Sequence, residues 1–257
     1  MSPPIAATRT NATPNSVVTI PVKIRYTKSL DATGWLRVKL ESGEAGFLPE
    51  FVRVAIEKET DRTFFLINEG RYKGQMASLS KDNASKCLVD VKRGSGATLV
   101  AKRGPKYETL YSKPKGETNK QLISTLHFNG ISATITLDSD IKFKENNPVS
   151  PFAGQFLQSK PLPPGIYKIL VPESAKSTDA TGFYRTEAGG NPDLKYDTVW
   201  FPIEYAKTYN SSFVHVGNLS EGCVTMYELG KWNSLNAYLI SNRIEPDGKY
   251  VGSITIK

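Results

Sequence analysis

The sequence predicts a mostly β protein, on three observations. Short runs alternate apolar and polar side chains with a period of two, as where Trp35, Arg37 and Lys39 oppose Leu36, Val38 and Leu40. The 257 residues include 20 glycines and 16 prolines, a turn-rich composition that suits short strands. A helical stripe is read only near the C-terminus, where Trp232, Leu235 and Leu239 stand at i, i+3 and i+7. The expected architecture is one or two small N-terminal β barrels, then a larger β-rich domain with a short helix.

Size and charge bound what the chain can do. At 257 residues it has room for one large domain or two to three small ones. The net charge of +8 is spread along the chain, and it favours anionic partners: nucleic acid, a membrane surface or the carboxylate-rich bacterial wall. Two cysteines, Cys87 and Cys223, lie too far apart in sequence to form a disulfide framework. Two histidines and two cysteines never meet at metal-ligand spacing, so neither metal nor cofactor is expected. No stretch reaches the length of a membrane helix, and no membrane insertion is expected.

In chain order, residues 1–15 read as a loose polar arm with Pro3, Pro4 and Pro14. Strands are expected over Val17–Ile24, Gly34–Leu40 and Glu44–Val54, with a hairpin turn at Glu41–Gly43. Their Gly-Trp and Gly-Phe-Leu-Pro pattern resembles a Src-homology-like small barrel, which defines a first domain over 1–58. Residues 59–96 read as a second β unit. Phe64–Ile67 is its buried strand, Gly70–Ala77 resembles the turn and strand of a KOW motif, and Lys86–Val91 is the returning partner. KOW motifs often touch RNA. Base stacking needs exposed aromatics and only Tyr72 is on offer, so no nucleic-acid partner is expected. Cys87, inside the alternating Ser85–Asp90, reads as a structural thiol.

Turn-rich Gly94–Gly96 and Lys102–Pro105 mark a junction, and residues 97–257 form the third domain. Asn129–Gly130 is a strong hairpin signal between strands at 124–128 and 132–137. Residues 141–160 read as a loop, and Pro161–Gly165 as a rigid turn feeding a strand to Leu170. A long loop over 172–198 either walls a cleft, with Tyr184 and Arg185 near the substrate, or is a disordered excursion. Strands at Thr198–Ile203 and Ser212–His215 would carry His215 to a sheet edge, and Tyr250–Ile256 would close the fold. Arg243, at the end of the helix, either binds a carboxylate or complements the helix dipole.

Chemistry concentrates in Phe213–Met226, which holds His215 and Cys223 eight positions apart. A thiol attacks as thiolate, and a neighbouring imidazole is the usual means of making one near neutral pH. Gly222 lets substrate approach the sulfur, and the amides of Gly222 and Cys223 could face a developing oxyanion. A base-paired Cys223 is expected to alkylate well below the free-thiol pKa of about 8.5. The alternatives are a buried cysteine beside an incidental histidine, or His127 as the base.

His215-Val-Gly-Asn218 followed by Ser220-Glu-Gly-Cys-Val224 resembles the catalytic signature of the L,D-transpeptidase (YkuD-type) family, in a divergent form. Ser220, Gly222, Cys223 and Val224 match position by position. Glu221 replaces the family's histidine, Thr225 replaces its arginine or asparagine, and the His-to-Cys interval is shorter. Pro161–Leu170 is similar to the family's proline-rich turn and strand. The resemblance implies an enzyme of peptidoglycan stem peptides, with Cys223 as nucleophile, His215 as base and Ser220 shaping the loop. It also implies Asn218, Tyr184, Arg185 and Arg243 around the substrate. Activity would be transpeptidation, with water as acceptor giving carboxypeptidase action. Met1–Arg9 lacks the apolar run of a secretory signal. The expected route to the wall is therefore a secretion system or lysis, or a signal has been removed. A secreted antibacterial effector, with a cognate immunity or secretion partner, fits that route. The rival readings are a catalytically degenerate wall-binding or structural protein and a cysteine peptidase of another family.

Overall fold

A computed structural model describes residues 23–205 and 212–257. The arm over 1–15, and the expected strand from Val17 up to residue 22, lie outside the described residues. Strands make up 43% of the described residues and helices 13%, so the fold is mostly β.

The N-terminal unit is one seven-stranded sheet. Its strands are β1 (Lys23–Thr27), β2 (Trp35–Leu40), β3 (Ala45–Pro49), β4 (Arg53–Glu59), β5 (Arg62–Ile67), β6 (Met76–Ser80) and, after helix α1 (Lys81–Cys87), the two-residue β7 (Leu88–Val89). The order is β3-β2-β6-β5-β4-β1-β7. β4 and β5 pair as a hairpin across the boundary expected between residues 58 and 59, so a single sheet replaces the two expected units. The reason is packing. Val54 and Phe65 are fully buried in the same core as Leu36, Val38, Leu79 and Cys87, and neither half could cover that core alone.

The expected strand over Lys86–Val91 is corrected as well. Ser80 accepts a hydrogen bond from the Asn83 amide and caps α1, which buries Ala84 and Cys87 at i and i+3. Only Leu88 and Val89 are extended, and they pair with Thr27 and Tyr26 of β1. Cys87 is fully buried, as a structural thiol should be.

Beyond residue 96 the chain forms a closed eight-stranded barrel. It contains β8 (Ala97–Lys102), β10 (Glu117–Phe128), β11 (Ile131–Ser139), β14 (Gly165–Leu170), β15 (Phe201–Glu204), β16 (Phe213–Val216), β17 (Val224–Met226) and β18 (Tyr250–Ile256), with β9 (Tyr107–Ser112) added outside β10. The β10–β11 pairing closes the ring. Asn129 and Gly130, at φ +45° and +75°, make the expected tight turn between them. The expected loop over 141–160 contains a small hairpin, β12 (Lys142–Lys144) with β13 (Phe156–Gln158). The long loop over 172–198 contains a 3-10 turn at Thr178–Ala180 and one α-helical turn, α2 (Phe183–Thr186).

Register puts one apolar face inside. Phe201 faces Val214, Val214 faces Val224, and Val216 faces Met226. Met226 in turn faces Ile135, and Ile254 faces Leu99. All eight are buried in one cluster, filling the barrel as a small barrel must be filled. Helix α3 (Trp232–Ser241) adds Trp232, Leu235 and Leu239 to that cluster, the stripe read from the sequence. No helix among the described residues is long and apolar enough to cross a membrane.

Candidate active site

The site grows out of an uncommon pairing. β16 and β17 run parallel with His215 opposite Thr225, and residues 217–223 carry the chain back to the starting end. Because side chains alternate along a strand, inward Val214, Val216 and Val224 leave His215 and Thr225 on the outer face of the barrel. Cys223 stands one residue before β17, beside the Phe213 amide, which donates to its sulfur.

His215 is buried, and Trp200 stacks on it with ring centroids 3.9 Å apart and an interplanar angle of 18°. Its Nδ1 lies 2.9 Å from the Val216 carbonyl oxygen, which can only accept, so the proton sits on Nδ1. That tautomer leaves the lone pair on Nε2, the arrangement a general base requires. Nε2 lies 3.0 Å from Thr225 Oγ1, and this hydroxyl is its hydrogen-bond partner. Burial pushes the His215 pKa down to about 4, with the Val216 carbonyl opposing the shift and Lys176 adding to it. The unfolded chain takes up this proton near pH 6.5 and the folded chain only near 4. Stability is therefore complete above pH 6.5 and falls as pH drops toward 4, by about 3 kcal/mol. Urea midpoints between pH 4 and 7 are expected to show this limb in the wild type and to lack it in His215→Gln.

Burial pushes the Cys223 thiol up to about 12, and Glu221 adds to the rise, while the Phe213 amide and the Lys176 ammonium oppose it. The resting site is thus a neutral thiol beside a neutral imidazole. A thiol so raised is expected to alkylate slowly below the free-thiol pKa, against the fast reaction expected of a base-paired Cys223. Lys176 was not foreseen from the sequence. Its ammonium sits 4.4 Å from the Phe213 ring centroid and 5.3 Å from that of Trp200, and burial lowers its pKa while Cys223 opposes the lowering. An isolated lysine in a loop carries no spacing signal that could have revealed it.

The other predicted residues divide by role. Ser220 Oγ donates to the Cys223 carbonyl at 2.7 Å, and the Ser220 carbonyl accepts from Ser139 at 2.7 Å, so Ser220 shapes the loop. Gly222, at φ +96°, sits so close to the Lys160 carbonyl that an added Cβ would stand 2.4 Å from its oxygen. Gly222→Ala must therefore strain the loop and shift backbone, and is expected to cost at least about 2 kcal/mol in urea unfolding.

Asn218 and Tyr184 come together behind His215. Tyr184 Oη donates to the Asn218 side-chain oxygen and accepts from the Asn218 amide at 2.8 Å. Asn218 also donates to Glu117 at 3.2 Å, and its carbonyl accepts from Gln121, so both residues brace the loop. Arg185 lies 3.7 Å from Asp197. Arg243 is placed elsewhere, against Glu69 where the two units meet. His127, on β10, bonds across the hairpin to Ser132 at 2.8 Å, a cross-strand role. Glu221 is exposed. No protein-family model, curated protein or solved structure matches the chain.

Proposed function

We propose that the protein is a cysteine acyltransferase of the L,D-transpeptidase type, acting on peptidoglycan stem peptides. The observation that carries this reading is the parallel pairing of β16 with β17. It gathers the signature's lone histidine and cysteine on one outer face of the barrel, with the imidazole in the tautomer a base needs.

In this mechanism Cys223 attacks the carbonyl at an L-configured centre of the stem. Its proton passes to His215 Nε2 as the sulfur–carbon bond forms, because a thiol with a pKa near 12 does not ionise beforehand. The Thr225 hydroxyl must then give up Nε2 when substrate enters. The oxyanion develops toward the Gly222 and Cys223 amides, and the Lys176 ammonium stabilises negative charge at the sulfur. Collapse expels the terminal D-residue as its amine, which takes the proton from His215. A second amine, or water, loses a proton to His215, attacks the thioester and frees the Cys223 thiol. No metal or cofactor enters any step. The +8 charge favours adsorption to the acidic wall. Murein lies outside the cytoplasmic membrane, which keeps the reading of an exported effector with a secretion or immunity partner.

A second reading, a wall-binding protein with a degenerate site, is favoured by one observation. Both ring nitrogens of His215 are engaged by groups other than the thiol. Incubating the folded protein with purified murein and resolving the muropeptides separates the two. New cross-links, or tetrapeptides shortened by one D-residue, are expected from the enzyme. An unchanged muropeptide profile, with the protein sedimenting on the murein, would establish the second reading instead.

A further inference from the structure

A cavity of about 610 Å³ lies between the N-terminal sheet and the barrel. Leu48 and Val52 wall it on one side, Leu170, Val171 and Pro202 on the other, and Arg243 lines it as well. This volume falls within the range of small-ligand sites. The Arg243 side chain is only 1% exposed and keeps one ion pair, 3.3 Å from its Nη2 to Glu69 Oε2. Among the described residues its Nε and Nη1 have no hydrogen-bond partner. Two glycines approach the guanidinium closely. A Cβ at Gly248 would stand 2.7 Å from Nε, and one at Gly70 would stand 3.9 Å from Nη2.

The charges around it do not balance. Glu69 and Glu245 face three guanidinium groups, those of Arg53, Arg93 and Arg243. Both carboxylates are held closely by Arg93, at 2.7 and 2.6 Å. The exposed Glu173 also faces Arg243 across the cavity mouth without an ion pair to it. An underpaired buried cation is costly, and an entering anion with hydrogen-bond acceptors offsets that cost.

We propose that this cavity binds the C-terminal carboxylate of a short peptide whose last residue is apolar, with Arg243 as its anchor. At the rim Glu173 and Asp247 offset Arg71 and Lys249, so one excess cation remains for a single negative charge to match, whereas a phosphate dianion would overshoot it. The apolar walls match a side chain beside the carboxylate, and the volume admits two or three residues. Pro202 pairs with Phe213, the neighbour of Cys223, so the occupant lies on the same outer face as the thiol. The inference does not rest on the acyltransferase reading, because binding is measured without turnover.

The test is calorimetric titration of the full chain with N-acetyl-Ala-Leu, its C-terminal amide and inorganic phosphate. The acid is expected to bind saturably, and the amide and phosphate at least about tenfold more weakly, the loss of one charge-assisted contact. Arg243→Gln should abolish binding of the acid. Ser174→Trp, which fills the cavity from its exposed rim and keeps Arg243, should do the same whether or not the first variant folds. Equal binding of acid and amide, phosphate matching the acid, undiminished binding in Ser174→Trp, or no saturation up to about 10 mM would each overturn the proposal.

Discussion

Cys223→Ala is expected to abolish stem-peptide turnover, and His215→Gln to lower it by roughly two to four orders of magnitude, the usual contribution of a positioned base. The rate of terminal D-residue release from purified tetrapeptide muropeptides reads both effects. His127→Gln should leave the rate within about twofold, since His127 is committed to Ser132 across its hairpin. A loss confined to His127→Gln would transfer the base to that residue. Alkylation of the folded wild type should rise steadily with pH through neutrality, with no acid-side plateau, because the resting thiol is held near 12. A plateau below pH 6 would mean a preformed thiolate, and the concerted proton transfer to His215 would have to be abandoned.

Arg93→Met is the substitution expected to cost most stability, about 3–5 kcal/mol. The Arg93 side chain is fully buried and its Nη1 lies 2.7 Å from the equally buried Glu69 carboxylate. Its Nη2 donates to the other Glu69 oxygen at 2.8 Å, its Nε to Glu245 at 2.9 Å, and its Nη1 also to the Phe51 carbonyl at 3.0 Å. One side chain thus ties the N-terminal sheet to the segment that follows α3. Removing it leaves Glu69 to Arg53 at 3.9 Å and Arg243 at 3.3 Å, poorer partners for a buried carboxylate. Adding Glu69→Gln to Arg93→Met should recover part of the loss, because the buried charge goes with its partner. Urea unfolding of both variants measures this. A loss below 1 kcal/mol in Arg93→Met would show that the remaining two arginines suffice.

Much of the fold was legible because its signals are local. Alternation marked β2 and β18, Asn129–Gly130 marked the β10–β11 turn, and the spacing of Trp232, Leu235 and Leu239 marked α3. The same local reading failed at Ser85–Asp90. There the apolar pattern of Cys87 and Leu88 fits a strand as well as the last turn of a helix capped by Ser80. The boundary at residue 58 failed for a different reason. Nothing in the chain near Glu59 says that β4 and β5 share a core with β2 and β6.

By itself the sequence determined the strand-rich class, the tight turns, the C-terminal helix and the placing of His215 and Cys223 in one short stretch. These follow from backbone preference and periodicity, which act over a few residues. Only the tertiary structure decided that the strands close into a barrel and that Lys176 and Trp200 cover the site. It also decided that Thr225 hydrogen-bonds the imidazole Nε2, and that Arg243 turns toward Glu69. Those outcomes depend on which distant surfaces exclude water together, and burial of that kind joins residues whose separation along the chain carries no pattern.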